Sequence, residues 1–140
     1  MQPNERLAVE DASLDLRLPA RPETLRAVRQ VAVDFARGLG ADEECVQAVA
    51  VAVNEAATNA VVHGYRGGRD GPIRLAASSS RGRMVITLFD DGVGADAPTR
   101  NGDDVGRGLP LMRALSESVE MWRGPRGTRV QLSFCLRRSS

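Results

Sequence analysis

One stretch constrains this chain more than any other. Through residues 42–64, Val46, Ala50, Val53, Ala57 and Val61 recur at helical spacing and predict a long helix with an apolar stripe. Such a stripe has to be laid against a second layer of structure. On another side of the same helix, Glu55, Asn59 and His63 stand at i, i+4 and i+8, along one face of a 3.6-residue helix. A carboxylate can accept a proton or hold water, and a neutral amide oxygen suits Mg²⁺ beside phosphate oxygens. A helix buried on one side that lines up these groups on another looks built around a ligand. Taken alone, the same residues also fit an ordinary solvated polar face, and the rest of the chain has to choose.

The remaining segments read in order. Leu14-Asp15-Leu16-Arg17-Leu18 alternates strictly, as a strand does. Pro19 and Pro22 follow, Pro22 suiting the first turn of a helix whose stripe is Leu25, Val28, Val31, Ala32 and Phe35. Gly38-Leu39-Gly40 ends that helix, and the long one follows. Residues 73–78 and 84–89 read as a hairpin around Ser80-Arg81-Gly82-Arg83. Residues 90–108 are rich in Asp and Gly and poor in apolar groups, a long loop of the kind that is usually functional in a compact domain. Residues 109–115 read as a short helix. Residues 119–123 and 129–136 read as two more strands. Strands joined as hairpins with helices grouped apart predict an α+β fold: a two-layer sandwich whose mixed, mostly antiparallel sheet carries its helices on one face. Residues 1–10 are polar and read as a flexible tail, with a single domain over 11–140.

Composition narrows the function classes. The 140 residues suffice for one real core. The 19 basic residues, all arginine, nearly balance 18 acidic ones, which argues against bulk nucleic-acid or membrane binding. With no lysine, any phosphate clamp falls to arginine or to backbone N–H groups. No signal peptide is seen and no apolar run approaches the ~20 residues of a membrane helix, so a cytoplasmic protein is expected. Cys45 and Cys135 are far apart and read as two buried reduced thiols.

Two short motifs add chemistry. Asp90-Asp91-Gly92-Val93-Gly94 follows a strand directly. A carboxylate there can accept from an exocyclic amine such as that of adenine, and the glycines let the backbone approach a flat ligand. A simple Asp-Gly turn would look the same. Gly106-Arg107-Gly108-Leu109 opens the short helix, where exposed N–H groups and the helix dipole favour an anion. A glycine-containing loop end would look the same. It is neither a Walker loop nor a Rossmann turn.

The order and spacing of these motifs carry a resemblance. Glu55-xxx-Asn59, Asp90-x-Gly92-x-Gly94, Gly106-x-Gly108-Leu109 and Gly127-Thr128 at the last strand resemble the Bergerat-type ATP-binding fold of gyrase-type topoisomerases, histidine kinases, MutL proteins and a large ATP-dependent chaperone. The segment from Asn54 to Tyr65 resembles the small bacterial anti-sigma factor serine kinases. The resemblance implies ATP and Mg²⁺ as cofactors. It implies Asn59 as the Mg²⁺ ligand, Glu55 as general base, Asp90 as acceptor of the adenine amine, and Thr128 near the base. Gly92 and Gly94 would shape the base pocket. Gly106, Gly108, Leu109 and the helix start would cradle the phosphates, and residues 95–105 would form a lid. Arg107 would contact the γ-phosphate or stand exposed in the loop. His63 would pack or cap.

The resemblance further implies a sigma factor and a small STAS-type anti-sigma-factor antagonist as partners, with the antagonist phosphorylated on serine, and a possible homodimer. No direct nucleic-acid or membrane partner is implied. The alternative is a nucleotide-dependent binding switch with little or no kinase activity. Glu55 leans toward the kinase, since a pure switch needs no base.

Overall fold

The computed structural model describes residues 12–64, 71–91, 108–124 and 127–136. Its elements are β1 (Ser13–Pro19), α1 (Thr24–Gly38), α2 (Glu43–Asn59), β2 (Pro72–Ser80), β3 (Arg83–Asp90), α3 (Gly108–Leu115), β4 (Ser118–Gly124) and β5 (Gly127–Cys135). A π-helical turn, Ala60–Gly64, extends α2. The strands form one sheet in the order β1-β2-β3-β5-β4. Every pairing is antiparallel, so the expected mostly antiparallel sheet contains no parallel pair among the described residues. The N-terminal tail, residues 95–105, Gly92, Gly94, Gly106 and Arg107 lie outside the described residues.

Local chemistry explains the boundaries. The Asp42 carboxylate caps α2 by accepting from the Cys45 N–H at 2.8 Å. Gly40, with φ of 85°, turns the chain between α1 and that cap. Pro22 falls just ahead of α1 rather than inside its first turn, because the helix starts at Thr24. Arg81 and Gly82 have φ of 55° and 78°, as a two-residue type I′ hairpin turn between β2 and β3 requires.

Alternation along each strand sends one set of side chains to the helices. Ile73, Leu75 and Ala77 of β2, Met84, Ile86 and Leu88 of β3, and Val130, Leu132 and Phe134 of β5 form that inner row set, all buried. From the other layer come Val28, Ala32 and Ala36 of α1 and Val46, Val49, Ala52 and Val53 of α2. Removing Ile86, fully buried on the central strand, to Ala should cost on the order of 2–5 kcal/mol.

The stripe on α2 is broader than expected. Ala50 and Val61 are only half-buried, whereas Val49, Ala52, Ala56 and Ala60 are buried. The helix is flanked by α1 and α3 as well as the sheet, so more than one side of it is covered. The same breadth corrects a second expectation. The 20 residues Glu43–Val62 reach a mean hydropathy of 1.3, long and apolar enough by length and composition to cross a membrane. In this fold the segment is the central helix of the core.

Among the described residues the outer face of the sheet carries no helix. There Arg74 lies 5.0 Å over the Phe89 ring and Arg129 lies 3.9 Å over the Trp122 ring. These guanidinium groups cover aromatic surface that no helix covers. Arg74 also makes two hydrogen bonds to the Asp15 carboxylate, at 3.1 and 2.8 Å, which hold its carboxyl below the ordinary range. Cys135 is exposed, not buried as expected. It ends β5 in the outward phase of Arg129, Gln131 and Ser133, and only Cys45 is in the core.

Candidate functional site

The side chains of α2 that face the sheet shrink along the helix. Val46, Val49 and Val53 give way to Ala56, Ala57 and Ala60. Where they become small, a pocket opens between helix and sheet. Its walls are Ala56, Asn59 and Ala60 from the helix, Leu88 and Asp90 from β3, Met121 and Arg123 from β4, and Thr128 and Val130 from β5.

Asp90 reaches this pocket by strand geometry. Met84, Ile86, Leu88 and Asp90 alternate along β3, so Asp90 takes the fourth position of a core row and is only 7% exposed. A carboxylate in a core position is costly unless something compensates it, and such a residue at a pocket wall is a functional candidate. Thr128 is its Cα partner across the β3–β5 ladder.

Asn59 is the last residue of α2 before the π turn. Its Nδ2 is screened from solvent and has no hydrogen-bond partner. A buried amide left unmatched costs on the order of 1–3 kcal/mol, which makes the position a candidate for contact with a ligand or a bound water. A half-turn of the carboxamide would present oxygen there instead, so the side chain can meet either a cation or an acceptor. Thr58, one residue before it, donates its hydroxyl to the Asn54 carbonyl at 2.7 Å.

The π turn was not foreseen. It begins right after Asn59, and π turns inside helices occur often at functional sites. Its wider winding ends the α-helical phase at Asn59, so the i+8 spacing that grouped His63 with Glu55 does not carry through the backbone. Glu55 lies one α turn before Asn59, half-buried, and is not among the residues lining the pocket. Gly108 is the first residue of α3 and Leu109 the second. Met112 of α3 is fully buried, and the helix packs against α2 and β4.

The structure thus brings together Asn59, Asp90 and Thr128 of the expected site. Arg123 is an addition. Its signal is present in the sequence: Val119, Met121 and Arg123 alternate, which places a cation in the inward phase of β4. The five apolar wall residues carry no polar signal and emerge only from the packing of helix on sheet.

Among the described residues no group of three or more His, Cys, Asp or Glu could hold a metal by itself. A hard cation here would be shared between Asn59 and oxygens of a ligand, as Mg²⁺ is in phosphate sites. The residues fit a purine nucleotide: a buried acceptor, an unmatched amide and apolar walls.

The sequence profile of the histidine kinase-like ATPase domain matches residues 18–134. The chain belongs to that family. A serine-protein kinase RsbW of Listeria monocytogenes is 30% identical over 111 residues, covering 76% of this chain and 71% of the relative. An anti-sigma F factor of Clostridium beijerinckii is 27% identical over 88 residues, or 63% of this chain and 62% of that one. The crystal structure of the RsbU and RsbW domains of a Mycobacterium tuberculosis protein has a TM-score of 0.73 at 26% identity. That likeness covers 92% of this chain and 34% of the other. The profile match runs from the end of β1 into β5 and takes in both layers, so the pocket lies inside the shared ATPase domain.

Proposed function

We propose that this chain is an ATP-dependent protein-serine kinase of the anti-sigma type, which binds a sigma factor and phosphorylates a small antagonist protein in the cytoplasm. The observation that carries the reading is the pairing, in one pocket, of a buried Asp90 carboxylate with the unpartnered amide of Asn59. The serine-kinase and anti-sigma character of the relatives supports the rest.

In this reading Asp90 accepts from the adenine amine while Leu88, Val130, Met121 and Ala56 enclose the base. Asn59 would hold Mg²⁺ together with phosphate oxygens. Bound Mg²⁺-ATP supplies an electrophilic phosphorus with its charge partly neutralised. Glu55 orients and receives the proton of the attacking serine. Gly108 and Leu109 at the start of α3 would offer backbone N–H groups to the phosphates; the base-pocket role of Gly92 and Gly94 and the phosphate role of Gly106 and Arg107 rest on the family resemblance alone, since these four lie outside the described residues.

The test is phosphoryl transfer from labelled ATP to purified antagonist proteins of the same organism, with and without Mg²⁺. Label on a serine of one antagonist, dependent on Mg²⁺, is expected. ATP binding without transfer to any antagonist would instead support a nucleotide-dependent binding switch. That second reading has one observation in its favour: Glu55 does not line the pocket that Asn59 and Asp90 share.

A further inference from the structure

Arg123 stands where a strand with one buried face would carry an apolar residue. Val119, Met121 and Arg123 share the inward phase of β4. Arg123 is half-buried, and its Nε is screened from solvent. Across the ladders it is the Cα partner of Thr128, whose other neighbour is Asp90. The row Asp90–Thr128–Arg123 therefore crosses three strands. All three residues line the same pocket. A short Thr side chain separates an obligate acceptor from an obligate donor.

An adenine that gives its amino hydrogens to Asp90 still presents N1, N3 and N7, which are acceptors only. Among the polar side chains of this wall, Asn59 and Thr128 can donate or accept, and an ionised Asp90 can only accept. Arg123 can only donate, and its five N–H groups allow it to keep a protein partner and still serve a ligand. The pocket thus matches both signs of an adenine edge.

Building on the ATP-site reading, we infer that Arg123 is a specificity-determining residue of this pocket, donating to a ring nitrogen of the base whose amino group Asp90 accepts. A half-buried Arg in that row would then be explained by recognition rather than by packing.

Titration calorimetry on the full chain tests this with ATP and its 1-deaza, 3-deaza and 7-deaza analogues. Each analogue replaces one ring nitrogen by C–H and leaves the amino group in place. The wild type should bind one analogue roughly 10–100-fold more weakly than ATP, the range for a hydrogen bond to a charged group. Arg123→Met should bind ATP about as weakly as the wild type binds that analogue, and should no longer distinguish the two. Wild-type affinity for ATP in Arg123→Met overturns the inference, and so does discrimination that persists in that variant. If Arg123→Met fails to fold by circular dichroism, the wild-type series decides: equal affinity for ATP and all three analogues overturns it. A wild type that binds no ATP removes the ATP-site reading and this inference together, whereas ATP binding without discrimination removes only the latter.

Discussion

Gly127 lies directly against the backbone of Asp90. A Cβ added to Gly127 would overlap the Asp90 carbonyl oxygen and come within 2.8 Å of its carbon and 2.9 Å of the Asp91 Cα. Its φ of 127° is also a conformation that side-chain-bearing residues rarely adopt. The close approach holds the start of β5 against the end of β3, which sets Thr128 beside Asp90 at the pocket.

Gly127→Ala should therefore destabilise the fold by on the order of 1–3 kcal/mol through strain and displacement. Urea unfolding measures this. ATP affinity should fall as well, because the displaced backbone carries Asp90. An Ala variant with wild-type stability and affinity would mean that the contact relaxes freely.

Asn59→Ala should abolish Mg²⁺-dependent ATP binding, yet leave the nucleotide-free protein as stable as the wild type or more so. The unmatched Nδ2 costs stability in the absence of a ligand. Thermal unfolding with and without Mg²⁺-ATP separates the two effects. A large loss of stability without nucleotide would show that the amide has a structural partner.

Asp90→Asn should weaken ATP by about 1.5–3 kcal/mol, the worth of a charge-assisted hydrogen bond. Wild-type binding should favour ATP over GTP, since guanine carries a carbonyl where adenine carries its amine. Retained affinity in Asp90→Asn would place the base elsewhere.

Glu55→Gln should lower phosphoryl transfer by about 10²–10⁴-fold and leave ATP affinity nearly unchanged. Single-turnover transfer and equilibrium binding give the two numbers. Transfer at the wild-type rate would assign the base to another residue.

The two cysteines should react differently. Burial first, then Asp42 and Cys135, push the Cys45 thiol from 9.0 up to about 11, while Cys135 is exposed. A thiol reagent at pH 8 should label Cys135 quickly and Cys45 only after unfolding, because the thiolate is the reactive form. The sign of the linkage follows. Above 9.0 an unfolded chain loses this proton while the fold keeps it, so the Cys45 contribution falls as pH rises from 9 to about 11. Two fast thiols at pH 8 in the native protein would contradict the buried position.

The sequence by itself determined the element order, because each element rests on periodicity and punctuation that are local. The alternation of Leu14, Leu16 and Leu18, the hairpin turn at Arg81-Gly82 and the Asp42 start of α2 all reappear in the fold. The grouping of Asn59, Asp90 and Thr128 was legible through resemblance, since motif order and spacing survive where overall identity is low. Tertiary structure alone decided which flank of α2 is buried, because α1, α3 and the sheet together cover positions that no single-stripe pattern marks. It decided that Cys135 faces out, because only the sheet shows which phase of β5 meets the helices. It also decided that Arg123 joins the site. Pairing of β4 with β5 sets it beside Thr128 on the wall that Asp90 shares, and such a neighbourhood depends on which strands are adjacent, which periodicity within one strand does not encode.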